Sequence, residues 1–179
     1  MPPSPRYLEL ARFSNATLEA LFRISKGPAP EALAGWEWRG YNTPWTHSLL
    51  GIRKFIKGFF KNTDGKVEGY NIPPRQNAIA QEWLHKPSAE SPKRFGFFTV
   101  DKVQPLSVDN LYINAVLLDY GASSRNDPWR PERVLRDYVI QPDAGNPDLL
   151  VGKAYLALGP RLFANFFIIE RLRRTDWKP

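Results

Sequence analysis

From Gly35 to Arg173 the chain is cut into strand-length pieces by turn formers, and this punctuation constrains the fold more than any other feature. Asp64-Gly65 is a hairpin signal, because a tight turn with positive φ matches the twist of paired strands; it asks for a strand on each side. Pro73-Pro74 breaks the second of these strands. Pro105 separates Arg94–Asp101 (RFGFFTVD) from Leu111–Tyr120 (LYINAVLLDY). Pro142 through Pro147 joins Glu132–Gln141 to Leu149–Leu158, and Gly159-Pro160 joins that piece to Leu162–Arg173. Regular strand spacing without alternating helices predicts antiparallel sheet. The expectation is a mainly β fold: a closed or nearly closed antiparallel barrel of about eight to ten strands. A barrel of that size can hold one small ligand.

The first strand is expected at Gly35–Tyr41 (GWEWRGY). Period-2 alternation sends Trp36 and Trp38 to one face and Glu37 and Arg39 to the other. Residues 47–61 fit either a helix or a strand. The turn at Asp64-Gly65 favours a short helical turn at 47–52, then strands at 53–61 and 66–72. Asn77–His85 is read as a further strand. Ahead of the sheet, Leu18, Leu21 and Phe22 form one apolar stripe of a helix at 16–24, capped by Ser14 or Asn15, with Glu19 and Arg23 paired along its side. Gly27-Pro28 stops it, and Pro30–Leu33 makes one further turn. Residues 1–12 read as a loose arm that packs down near Tyr7-Leu8. All 179 residues are assigned to a single domain, with strands from about 35 to 173.

Composition excludes several chemistries. The chain has no cysteine, hence no disulfide, thiolate nucleophile or thiolate metal site. It has two histidines, His47 and His85, too few for a three-histidine zinc site. Nucleophile-elbow, P-loop and dinucleotide-binding patterns are absent. No catalytic residue, metal or cofactor is therefore expected, and a binding role is preferred to an enzymatic one. An isomerase, cyclase or hydrolase working in the same cavity is the alternative. Met1–Arg6 lacks the apolar run of a signal peptide, so a soluble cytoplasmic protein is expected. The sequence does not give the oligomeric state.

The net charge of +7 favours anionic partners. Arg53–Lys61 interleaves cations with aromatics, and Arg171–Arg174 ends the last strand. An anionic membrane surface is a candidate partner for such stretches. Nucleic acid is not, because no nucleic-acid motif accompanies them. The plainer reading is a strand whose lysine stems lie along apolar surface.

The order of features resembles the GXWXG-motif proteins and, more broadly, calycin-like barrels such as lipocalins and fatty-acid-binding proteins. The residues that carry it are Glu31-Ala32-Leu33-Ala34-Gly35, Trp38-Arg39-Gly40, Leu118-Asp119-Tyr120 and Arg133 through Tyr138 (RVLRDY). The spacing Gly35-x-x-Trp38-x-Gly40 is one residue longer than GXWXG. The resemblance implies a barrel with an internal cavity and no defined activity. Some calycin-like barrels bind haem through a histidine, a role that would fall to His85, although a surface position beside Lys86-Pro87 is the simpler assignment.

The candidate ligand-binding residues are Trp36, Trp38, Tyr112, Asp119, Tyr120, Arg136, Tyr138, Tyr155 and Phe166. The aromatic members supply an apolar lining with polar tips, suited to a small hydrophobic or amphipathic molecule. Asp119 and Arg136 are charges in apolar strands, where each needs a partner or a ligand. They are expected near one another, inside the barrel or at its rim, with Arg136 holding a ligand carboxylate or phosphate. The expected ligand is thus a lipid-like or fatty-acid-like anion.

Overall fold

A computed structural model describes residues 2–43 and 52–179. Eight strands follow one another around a closed antiparallel barrel: β1 (Trp36–Asn42), β2 (Lys54–Lys61), β3 (Val67–Ile72), β4 (Phe95–Lys102), β5 (Val116–Asp119), β6 (Leu135–Ile140), β7 (Leu149–Ala157) and β8 (Arg161–Arg174). β8 pairs back onto β1, which closes the sheet on itself. Most strand boundaries fall within a residue or two of the punctuation. Asp64-Gly65 makes the β2–β3 turn, and Gly65 takes a φ of 77° there. The helical turn expected at 47–52 falls, apart from Ile52, outside the described residues, as does His47.

Helix α2 (Asn15–Ile24) is capped by Ser14, whose Oγ accepts from the Thr17 amide at 3.1 Å. The stretch expected to be a loose arm is instead helix α1 (Pro5–Leu10). Ser4 caps it and Pro5 opens it, the usual chemistry of a helix start, and Tyr7 and Leu10 are fully buried.

The wall of the barrel separates two apolar clusters. The inner one includes Trp38, Phe59, Phe98, Leu118, Tyr120 and Phe167. The outer one joins α1 and α2, through Tyr7, Leu10, Leu18 and Phe22, to Tyr138, Tyr155, Phe166 and Ile168 on the strands. β8 is apolar on both faces because it contributes to both. Burial inside and out accounts for the unbroken apolar run Phe166–Ile169 in the middle of this 14-residue strand.

Three expected strand segments take other forms. Asn77–His85 has no strand; it wraps around Lys54. The Lys54 ammonium donates to Asn77 Oδ1 and to the carbonyls of Ala78, Gln81 and Glu82 (3.2, 2.9 and 3.1 Å), and lies 3.5 Å from the Trp83 ring centre. Those carbonyls cannot serve a sheet ladder and the lysine equally well. Glu132–Val134 belongs to a 3-10 turn opened by Pro131. Residues 111–115 precede β5 as part of a long strap, and Leu111 and Ile113 lie exposed.

The strap, residues 103–115, leaves β4 and enters β5 at one end of the barrel, where Lys102 pairs with Val116. Its Asp109 reaches Arg136 and Arg161, which stand at the starts of β6 and β8 at the opposite end. The strap therefore crosses the outer wall and returns, laying Tyr112 against Tyr138 and Tyr155. Asn114 ties the returning arm to the segment after α2 by accepting from the Gly27 amide at 2.6 Å.

Candidate functional site

An eight-stranded barrel is an architecture that can enclose a small ligand or fill its own interior with side chains. Here side chains occupy the inside. Phe55, Phe167 and Phe98 lie over Gly40, Gly152 and Gly69, so closely that a Cβ on those glycines would stand 2.1, 1.9 and 2.3 Å from the rings. Between the rings sits Lys57, 3% exposed, its ammonium 3.0 Å from Asp137 and donating to the Tyr120 hydroxyl (2.5 Å) and Asn71 Oδ1 (3.1 Å). Burial pulls the Lys57 pKa down, against the opposing pull of Asp137. Burial likewise pushes the Tyr120 phenol well up, with the Asp137 charge adding to it. A paired charge in this setting is costly to build and far more costly to break.

Trp36, Trp38 and Tyr120 belong to this interior. Trp38 is fully buried edge-on to Phe59, and Trp36 stacks under Arg171 and Arg174 at 4.5 and 3.9 Å. Glu37 and Arg39 point outward as the alternation requires, yet both are buried there, paired with Arg173 and Glu170 respectively. Glu37 also bonds His85 Nε2 at 3.0 Å, and Arg173 lies against the same ring, so His85 is held inside a charge cluster rather than at the surface.

Tyr112, Asp119, Arg136, Tyr138, Tyr155 and Phe166 lie on the other side of the wall. The nine candidates therefore do not line one cavity, and the expected single site is corrected to an inner and an outer set. Four of the outer ones converge: Tyr138 meets Tyr112 and Tyr155 at 5.4 and 5.8 Å, and Phe22 of α2 bridges Tyr112 and Phe166 at 5.1 and 5.8 Å. Beside them, α2 and the returning arm of the strap enclose a groove of about 390 Å³ lined by Glu19, Phe22, Arg23, Leu111, Tyr112, Ile113, Asn114 and Tyr155.

Beneath the groove lies Lys153. It donates to Glu19 Oε2 at 2.6 Å and to the Tyr112 hydroxyl at 2.5 Å, among the rings of Tyr112, Tyr155, Phe163 and Phe166 at 5.0–5.2 Å. Partial burial pushes the Glu19 carboxyl up, but bonds and charge from Lys153, with help from Tyr112 and Arg23, outweigh it and hold the group below its usual range. Burial raises the Tyr112 phenol, and its bond to Tyr155 adds to the shift. Tyr112 therefore stays a neutral hydroxyl at ordinary pH.

Asp119 and Arg136 pair at 3.0 Å, as their facing positions in the β5–β6 register require, and both are on the outer side. Arg136 does not stand ready for a ligand: its Nε donates to Asp109 Oδ2 at 3.1 Å, and Arg161 Nε grips Oδ1 of the same carboxylate at 2.5 Å. The strap, through Asp109, supplies the anion that Arg136 was expected to take from a ligand. The stretch Arg53–Lys61 does not form a cationic face either, because Lys54 and Lys57 are buried. Among the described residues no cluster of three or more His, Asp or Glu side chains is placed to hold a metal ion.

Glu19, Lys153 and Asp109 were not singled out from sequence. Lys153 carried a signal: it is the one charge in Leu149–Leu158 (LLVGKAYLAL), and a charge in such a run needs a partner. Glu19 was read only with Arg23, which it does approach at 3.4 Å. Nothing local marked Asp109.

The fold and the site define a closed, up-and-down antiparallel barrel with helices packed on its outer wall, a packed interior and an open groove outside. No family model, no curated protein and no solved structure matches the chain.

Proposed function

We propose that the protein binds a small amphipathic anion, an aliphatic carboxylate in the simplest case, in the groove between α2 and the strap. This keeps the ligand-holding role of the calycin-like barrels the sequence resembles and moves the ligand from the interior to the outer wall. The observation that carries the reading is the convergence of Phe22, Tyr155, Leu111 and Ile113 on a concavity of about 390 Å³ with the Tyr112 hydroxyl in its wall. Sites for small ligands are of this size, and the lining divides evenly between apolar and polar surface, which suits an amphipathic rather than a purely apolar molecule. Ile113 and Leu111 are 61% and 46% exposed, apolar surface that a ligand's chain would cover. The charges around the groove are Glu19 against Lys153 and Arg23, a balance that favours an anion.

Calorimetric titration with decanoate and with decyltrimethylammonium tests this. Saturable binding of decanoate, at least about tenfold tighter than that of the cation, supports the reading. Ile113→Asp keeps the fold, since Ile113 is exposed, and should weaken decanoate about tenfold or more, because it removes apolar contact and adds a repelling charge. No saturable binding at millimolar decanoate, or equal binding by I113D, contradicts it.

A further inference from the structure

The clasp on Asp109 carries an inference that rests on the function proposed above and specifies it. Arg136 and Arg161 come from strands β6 and β8, and each turns its Nε to a different oxygen of one carboxylate. Two guanidinium groups arranged in this way form a carboxylate receptor. The carboxylate that fills it belongs to the strap, whose attachment there is thin. Among the described residues, 104–110 make backbone hydrogen bonds only with one another, Ser107 N to Gln104 O at 3.0 Å. The apolar side chains flanking Asp109 do not dock: Leu106 is 100% exposed and Val108 80% exposed, while Asp109 itself is 6% exposed. An anchor that consists of one ion-paired carboxylate between undocked apolar residues is held by charge, not by packing.

The receptor and the groove are also contiguous. Asp109 is two residues from Leu111 in the groove wall. Tyr138, whose ring packs on Tyr112 and Tyr155, lies close enough to Asp109 and Arg161 for both charges to act on its phenol.

We propose that Arg136 and Arg161 form the carboxylate-binding site of the protein, that Asp109 occupies it in the unliganded chain, and that an aliphatic carboxylate displaces Asp109 and frees the strap tip. The ligand's chain then runs toward Leu111 and Ile113. Self-occupancy lowers the apparent affinity by the fraction of molecules in which the site is open.

Decanoate and the uncharged 1-decanol are titrated into the native protein, Asp109→Asn and Arg161→Gln, with far-UV circular dichroism and thermal unfolding confirming that each variant is folded. D109N removes the competing charge and should bind decanoate about tenfold tighter while leaving 1-decanol unchanged. R161Q should weaken decanoate about tenfold and spare 1-decanol. Unchanged or weaker decanoate binding by folded D109N, or unchanged binding by R161Q, overturns the proposal while the groove reading stands. Failure of decanoate to bind any of the three proteins overturns both. Should D109N not fold, the R161Q comparison of decanoate with 1-decanol decides alone, unchanged decanoate binding overturning the proposal.

Discussion

Phe166 and Phe167 are consecutive on β8 and turn to opposite sides of the barrel wall, each facing a caged lysine: Phe166 lies 5.1 Å from the Lys153 ammonium outside, and Phe167 5.4 Å from the Lys57 ammonium inside. The two cages have the same parts. Lys57 pairs with Asp137 and the Tyr120 hydroxyl, Lys153 with Glu19 and the Tyr112 hydroxyl. They differ in access. The inner cage is closed by rings packed on glycine, whereas Glu19 and Tyr112 of the outer cage line an open groove. The inner cage therefore acts on stability, and the outer one is where a ligand can be met.

Removing Asp137 strands a buried ammonium. Asp137→Asn should cost about 3–5 kcal/mol. Lys57→Met combined with Asp137→Leu should recover most of that, because a pair replaced by apolar groups leaves no charge unpaired. Urea unfolding of both variants at neutral pH checks the pair. A double variant as unstable as the single one would show that packing around Asp137, not its charge, is what matters.

Leu10 places α1 within the outer core. Leu10→Ala should destabilise the protein by about 2–5 kcal/mol, the range for a buried leucine truncated against a packed surface. A loss below about 0.5 kcal/mol, the scale of surface substitutions, would mean that the first dozen residues behave as the loose arm their proline content suggested.

Burial, with the Asp109 charge adding to it, pushes the Tyr138 phenol from 10.0 up to about 12. A raised pKa in the folded state gives a contribution that is complete below pH 10 and lost as pH climbs through 10 to 12, since the unfolded chain releases that proton first. Stability measured over this window should fall less steeply in Tyr138→Phe than in the native protein. Parallel slopes would contradict the assignment.

The barrel was legible in the sequence because its signals are local. Asp64-Gly65, Pro142 through Pro147 and Gly159-Pro160 each fix a chain reversal through backbone geometry alone, and successive reversals close a meander. The pairing of Asp119 with Arg136 was legible for a related reason: both are charges in apolar strands that the chain order makes neighbours. What escaped depends on distant partners. The carbonyls of Asn77–His85 serve Lys54, more than twenty residues earlier, and nothing local distinguishes them from a strand's. The strap reads as the start of a strand at Leu111 because its apolar residues are counted before it is known which face is covered. The wall's two sides are likewise merged into one lining, because Tyr112 and Tyr120 would share a face of one continuous strand, and only the strap before β5 carries Tyr112 to the outside.

Decanoate titrated into isotope-labelled protein and followed by amide chemical shifts tests the central claim most directly. Shifts that saturate and cluster at Phe22, Arg23, Ile113, Asn114 and Tyr155, with Trp38, Lys57 and Phe98 unmoved, are the predicted result. Shifts centred on the interior residues, or none at millimolar decanoate, would contradict a ligand site on the outer wall.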